Sequence, residues 1–210
     1  MASMQTLLDD LNSRLGDADN DDGVGEATKM RWINHGIRAM WPKIWIGVQD
    51  DTIEIAADTY SYDVPAAVGT NSEIVRVEIE SGDGTGLFTE ITGIDELPLR
   101  ALRTIQTHHD VRYNAGAKMR ITAIRPLVVM DDVLDVYEGY PITEELPVLY
   151  AMYLATSKGH EDRIDHTRYS TVAAQNRVDI AEVEGAALFW LSQFENMLDR
   201  QAMPWPASIG

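Results

Sequence analysis

The chain of 210 residues contains 45% hydrophobic and 24% charged residues, an ordinary globular composition that allows one core with at most a modest insertion. Acidic residues (34) outnumber basic residues (17), and the formal net charge of −17 argues against ordinary binding to nucleic acid or to an anionic membrane surface. Cysteine is absent, which excludes disulfides and thiolate zinc sites, and no segment has the pattern of a signal peptide or a membrane span. We therefore expect a protein that folds in water, in a cytoplasm.

Two helices are predicted in the N-terminal part of the chain. Leucines recur at helical spacing over Leu7–Leu15, and Ser3 is a suitable N-cap before them. A second apolar stripe predicts a helix from about Glu26 to about Trp45. Pro42 is expected to kink the last turns of this helix, because proline lacks a backbone N–H and crowds the preceding turn.

The middle of the chain changes to the period of two that is typical of strands. Apolar residues alternate with polar ones between about Asp50 and Ile124, which predicts a small antiparallel sheet of four to six strands. The glycine-rich stretch Ser81–Gly86 predicts the turn of a hairpin. Strands around Val111–Tyr113 are also predicted, whereas Asp95–Gln106 is predicted as a short helix or a loop excursion.

Helical spacing returns in the C-terminal third. A helix is predicted from near Thr143, with Pro147 in its first turn and Gly159 at its end. The longest periodic stripe predicts a final helix from about Thr167 to about Arg200. The residues after it, Met203–Gly210, form an apolar, proline-containing segment that we expect to be extended.

This order of elements predicts an α+β fold. The N- and C-terminal helices are expected to form one α-helical bundle from residues 1–49 and 140–202. A small antiparallel β-sheet subdomain, residues 50–130, is inserted into it. Residues 203–210 form an extended C-terminal tail.

No stretch of the sequence fits a known catalytic or ligand-binding motif. The stretch Asp17–Gly23 resembles the start of a calcium loop, but Asp22 and Thr28 occupy the two positions that require glycine and glutamate. His160 and His166 are six residues apart around a predicted loop, a spacing that does not form a metal pair on a helix. Phosphate loops and nucleophile elbows are absent. We therefore expect no enzyme, with no catalytic, cofactor or metal site.

Four stretches together are similar to the head–tail adaptor (connector) proteins of tailed bacteriophages. Met30–Trp41 resembles the second helix of that family, and Tyr60–Pro65 resembles the strand that opens its β insertion. Met119–Pro126 resembles its last strand, and Glu145–Pro147 resembles the start of its C-terminal helical half. The resemblance is one of pattern and element order, and it extends over nearly the whole chain.

The resemblance implies a structural virion protein that is assembled in the host cytoplasm. Copies of the family, commonly twelve, form a ring beneath the portal in the phage neck, line the DNA channel and link head to tail. The implied partners are the portal protein, the downstream neck or tail protein and other copies of the chain. DNA passes through without specific binding, and the family has no catalytic residues to transfer.

Two sets of residues are predicted to carry this role. The portal-docking hypothesis concerns the tail residues Met203, Pro204, Trp205, Pro206 and Ile209. Trp205 lies between two prolines in a segment anchored to nothing in its own chain, so it would lose little entropy on binding. The alternative is a frayed terminus.

The channel-lining hypothesis concerns the acids Asp131, Asp132, Asp135 and Glu138, which lie in the base-free stretch Pro126–Ser157. Carboxylates would repel passing DNA and leave it no binding sites. We expect lysine at the three aspartates to leave the fold intact, because loop charges contribute little to stability. The alternative is that the acids only provide solubility.

Other functions are also compatible with the sequence. The chain could be another neck or tail-completion (stopper) protein, although such proteins are often shorter and lack the long last helix. It could be a small α+β enzyme or ligand-binding module whose site is assembled only in space. An acidic DNA mimic would need carboxylates at phosphate-like spacing, whereas the acids here are clustered.

Overall fold

A computed structural model describes residues 1–15, 24–69, 71–81, 86–91, 95–99, 102–107, 115–169 and 180–206. These residues contain four α-helices and seven β-strands, which confirms the predicted α+β class. The chain divides into two compact units. The first, here called the helical unit, is Met1–Ile44 with Leu127–Met203, and the second, the β unit, is Trp45–Pro126 with Pro204–Gly210.

All four helices belong to the helical unit. They are α1 (Met4–Leu15), α2 (Glu26–Ala39), α3 (Glu145–Tyr169) and α4 (Ile180–Gln201). Helix α3 contacts each of the other three. The predicted cap of α1 is confirmed, because the backbone N–H of Thr6 donates to Ser3 Oγ at 3.2 Å.

Helix α2 is shorter than predicted. It ends at Ala39 instead of continuing, kinked, to Trp45. A proline removes a backbone donor and disfavours helical geometry in the residue before it, so Pro42 ends the helix early. Met40 and Ile44 remain buried beyond the end of the helix, and the apolar stripe therefore continues into the core without helical structure.

Helix α2 crosses α3 at very short range. A Cβ atom placed on Gly36 would lie 2.7 Å from both the Cα and the carbonyl oxygen of Pro147. Pro147 lies in the first turn of α3, as predicted, where its missing N–H is tolerated. The absence of a side chain at Gly36 therefore allows the two helices to pack backbone against backbone.

Helix α3 is longer than predicted. It continues through Gly159, which was expected to end it, and it includes His160 and His166, which were expected to flank a loop. A glycine inside a helix costs only about 1 kcal/mol relative to alanine, and strong helix formers surround this one. The predicted start of the last helix at Thr167 is wrong, since Thr167 belongs to α3. Residues 170–179 lie outside the described residues.

The β unit contains two antiparallel sheets instead of the single sheet predicted. The strands are β1 (Ile46–Glu54), β2 (Ser61–Asp63), β3 (Glu73–Glu80), β4 (Phe88–Glu90), β5 (Asp95–Leu99), β6 (Leu102–Gln106) and β7 (Lys118–Arg125). One sheet has the order β1-β7-β3-β4 and the other β2-β6-β5. Side chains of both sheets share one hydrophobic core, including Tyr62 and Ile105 from the smaller sheet and Met119 and Ile121 from the larger.

The hairpin predicted around Ser81–Gly86 is confirmed, since β3 pairs with β4 and Glu80 lies opposite Phe88. The helix or loop predicted over Asp95–Gln106 is wrong, because these residues form the antiparallel pair β5–β6. Pro98 is an unusual residue inside a strand. It lies on β5, an edge strand, where proline is tolerated because one side of the strand has no ladder to complete. The strand predicted at Val111–Tyr113 lies outside the described residues.

Candidate interaction surfaces

The predicted channel-lining acids lie in an irregular segment of the helical unit between β7 and α3. We call Asp131–Val136 the acidic turn. The Asp135 carboxylate accepts the backbone N–H groups of Asp131 and Asp132, at 2.8 Å and 2.9 Å. The Asp132 carboxylate accepts the N–H of Leu134 at 2.9 Å. Aspartates commonly close turns by binding nearby backbone donors, and two of the predicted acids do so here.

The acidic turn also caps helix α1. The first N–H groups of a helix have no partner within it. Here Met4 N–H donates to the Asp135 carbonyl at 2.9 Å, and Gln5 N–H donates to the Val133 carbonyl at 3.0 Å. Ser3 forms an isolated antiparallel bridge with Val136. The turn is therefore a fixed part of the helical unit.

Helix α2 holds the same segment from another side. The Asn34 side chain donates to the Met130 carbonyl at 2.8 Å and accepts the Met130 N–H at 3.0 Å. The Glu138 carboxylate accepts the N–H of Val128. Three of the four predicted acids thus bind backbone donors. Only the Asp131 side chain makes no hydrogen bond or ion pair within the described part of the chain, and it is exposed.

These contacts change one expectation from the sequence. Lysine at Asp132 or Asp135 would remove the acceptors that close the turn, so we now expect such changes to disturb it. At Asp131 the original expectation of an intact fold still applies. Whether any of these carboxylates faces a DNA channel stays a prediction.

Large apolar side chains are exposed on the same segment, a feature that the sequence analysis did not identify. Leu134, inside the acidic turn, is 81% exposed, and Ile142 is 70% exposed. Val128, Val136 and Tyr140 are also exposed. Apolar side chains that cluster on a surface commonly mark a binding site for another protein. Apart from a short 3-10 helix at Pro141–Thr143, the segment is irregular, so no periodic pattern in the sequence could separate its inner from its outer residues.

A buried tyrosine anchors the exposed segment to the core. Tyr137 is fully buried, and its hydroxyl lies 2.7 Å from Thr143 Oγ1. The Thr143 hydroxyl in turn donates to the Tyr140 carbonyl at 2.7 Å. Burial raises the pKa of Tyr137 to about 12, because the ionised phenolate would lose its hydration. The hydroxyl therefore stays neutral and serves a structural role.

Helix α4 exposes a second apolar patch. Its inner side chains Phe194 and Leu198 are buried, and the Phe194 ring meets Tyr150 of α3 edge-on at 5.1 Å. Leu188 and Phe189 are exposed on the same helix. Helix α4 therefore has a buried side toward α3 and apolar side chains available to another molecule.

The start of the predicted docking tail is anchored in its own chain, in contrast to the expectation of no anchor. Met203 N–H donates to the Lys43 carbonyl at 2.8 Å, and the Lys43 ammonium pairs with the Asp199 carboxylate. Pro204 is exposed, Pro206 is half-buried, and Trp205 is 46% exposed. Ile209 lies outside the described residues. Portal docking by this tail stays a prediction.

The described residues offer neither a metal-binding cluster nor a helix that could span a membrane. No group of three His, Asp or Glu residues in the described part of the chain is arranged to hold a metal ion. The calcium-loop-like stretch Asp17–Gly23 lies outside that part. None of the helices described is both long enough and apolar enough to cross a membrane.

No protein-family model matches the chain, and no curated protein matches it significantly by sequence. We therefore infer the function of the chain from its residues and their geometry.

Proposed function

We propose that the chain is a structural virion protein, a head-to-tail adaptor. Copies form a ring beneath the portal in the neck of a tailed phage, line the DNA channel and join head to tail. The observation that carries this proposal is the order of elements, two helices, seven strands and two further helices, in the same sequence that resembles the adaptor family.

The division into units supports the same architecture. Met1–Ile44 and Leu127–Met203 belong to one compact unit, and the strands belong to the other. In the proposed arrangement, α1 and α2 form a bundle with α3 and α4, and the β unit is an insertion between them. The contacts of α3 with the other three helices are consistent with this bundle.

The exposed side chains suit a protein that works between other proteins. The segment from Val128 to Ile142 and the patch on α4 each present large apolar groups. An adaptor needs several such surfaces, since it contacts the portal protein, the downstream neck or tail protein and neighbouring copies. The net charge of −17 suits a channel through which DNA slides without binding.

The test is electron microscopy of purified virion necks in which this chain is labelled by a specific antibody. We expect the label directly below the portal, on averaged density with rotational symmetry. A virion without the chain, or a label on an unsymmetric or distant component, would refute the proposal.

A further inference from the structure

Helix α2 presents an exposed row of basic side chains, two arginines with a histidine between them. Arg31, His35 and Arg38 are exposed, and their spacing of four and three residues places them along one face of the helix. Within the described part of the chain, none of the three makes a hydrogen bond or an ion pair. By contrast Arg14 of α1 pairs with both Asp10 and Glu145. We call Arg31, His35 and Arg38 the cationic face.

The acidic turn has the complementary character. Asp131, Asp132 and Asp135 are exposed, and two of them also accept backbone N–H groups. No Lys or Arg occurs between Pro126 and Ser157. Leu134 provides an exposed apolar side chain among these carboxylates.

We propose that the cationic face of one copy binds the acidic turn of a second copy. Two chains that each carry a net charge of −17 repel each other, and cations placed against carboxylates at a contact would offset this repulsion. The cationic face provides these cations, and the acidic turn provides carboxylates beside an apolar side chain that excludes water. Ion pairs in such a setting are stronger than ion pairs in open solvent.

Both surfaces belong to the helical unit, and the Asn34–Met130 hydrogen bonds fix the segment that leads into the acidic turn against α2. In the proposed ring, each copy offers its cationic face to one neighbour and its acidic turn to the other. Contacts between two different surfaces repeat from copy to copy and close into a ring when the rotation allows. The inference rests on the proposed ring and names the contact between its neighbouring copies.

Disulfide trapping tests the contact directly, because the chain has no cysteine of its own. Arg38→Cys is introduced in one copy and Asp131→Cys in a differently tagged copy, and the mixture is oxidised mildly. We expect a disulfide between the two tagged chains. The matched control replaces Arg38→Cys with Lys118→Cys, at an exposed position on β7, and should give little product. Equal yields in both mixtures, or no product in either, would overturn the proposal.

Charge reversal provides the second measurement. Arg31→Glu/Arg38→Glu should weaken self-association, measured by sedimentation velocity at low salt, by roughly tenfold or more. Lys118→Glu/Arg200→Glu changes the net charge equally at exposed positions and should have a much smaller effect. Mixing the Arg31→Glu/Arg38→Glu variant with Asp131→Lys should restore part of the association. Equal loss in both double variants would mean that only net charge matters and would refute the contact.

The two proposals can fail separately. If the Arg31→Glu/Arg38→Glu variant still forms symmetric rings in necks, the contact is wrong and the adaptor function stands. If the Arg38→Cys and Asp131→Cys copies cross-link as expected but the chain is absent from virion necks, the contact stands and the adaptor function is wrong.

Discussion

Replacing Gly36 with alanine tests the packing that fixes the helical unit. The added Cβ would lie 2.7 Å from two backbone atoms of Pro147 and 3.1 Å from a third, so no side-chain rotation can relieve the overlap. Overpacking of this kind costs about 1–3 kcal/mol. Alanine gains about 0.5–1 kcal/mol over glycine within a helix. Because the overlap involves backbone, we expect a cost near the upper limit and a net destabilisation of about 2 kcal/mol.

The matched control is Gly185→Ala in α4, where an added Cβ meets nothing within 4 Å. This variant makes the same change of residue in a helix without the overlap, and it should stabilise the protein by about 0.5–1 kcal/mol. Urea unfolding followed by far-ultraviolet circular dichroism measures both, with the comparison made at equal m-values. On heating, Gly36→Ala should lower Tm by roughly 4–8 °C.

The close contact between α2 and α3 is refuted if Gly36→Ala is as stable as wild type while Gly185→Ala is stabilised as expected. That result would mean that α2 and α3 do not cross at Gly36 and Pro147. The arrangement of the acidic turn on α2 would then also need revision, because Asn34, which holds Met130, lies only two residues from this crossing.

Three further predictions follow from the segment between β7 and α3 and from the tail. Burial raises the pKa of Tyr137 to about 12, so the unfolded chain loses this proton at lower pH than the folded chain. The free energy of unfolding measured in urea should therefore fall by roughly 2–3 kcal/mol between about pH 10 and 12. The Tyr137→Phe variant, which lacks the phenol, should show a smaller decrease over the same pH range. Asp135→Ala should cost about 1 kcal/mol in the same assay because it leaves two N–H groups to water, whereas Asp131→Ala should cost little. Deleting residues 204–210 keeps the Met203–Lys43 hydrogen bond, so the helical circular dichroism signal should be unchanged. The truncated protein should no longer attach to portal-bearing heads. Normal attachment of the truncated protein would refute docking by the tail.

Local signals in the sequence predicted local structure. The N-cap at Ser3, the helical position of Pro147 and the hairpin at Ser81–Gly86 each depend on a few neighbouring residues, and all three are found. The same kind of signal failed at Gly159, which was expected to end a helix, and Pro98 lies in a strand that the sequence analysis did not predict. Both residues carry a moderate local penalty, which the surrounding helix and the edge position of β5 offset. Tertiary context decided these two positions.

The acidic residues show a different limit of prediction from the sequence. A count of charges identified Asp131, Asp132 and Asp135 as a group, but it could not separate carboxylates that fold the chain from one that does not. The close spacing of aspartates in an irregular segment was a usable signal, because such residues commonly accept backbone N–H groups two to four positions away. The exposure of Leu134 had no comparable signal, since it depends on how the segment lies against α1 and α2.

The Asp131→Lys variant decides between the two roles considered for the acidic turn. This side chain makes no contact that closes the turn, so the change alters charge with little effect on the fold. If the turn binds the cationic face of a neighbour, the variant should assemble poorly, while each virion that does form should eject DNA at the normal rate. If the carboxylates instead line the channel, assembly should be normal and ejection should slow, most strongly at low salt, because screening extends over only about 8 Å at physiological ionic strength. We expect the first outcome, measured as virion yield and as ejection rate per virion. Normal assembly with slow ejection would refute the contact between copies, and normal values of both would leave Asp131 without a role beyond solubility.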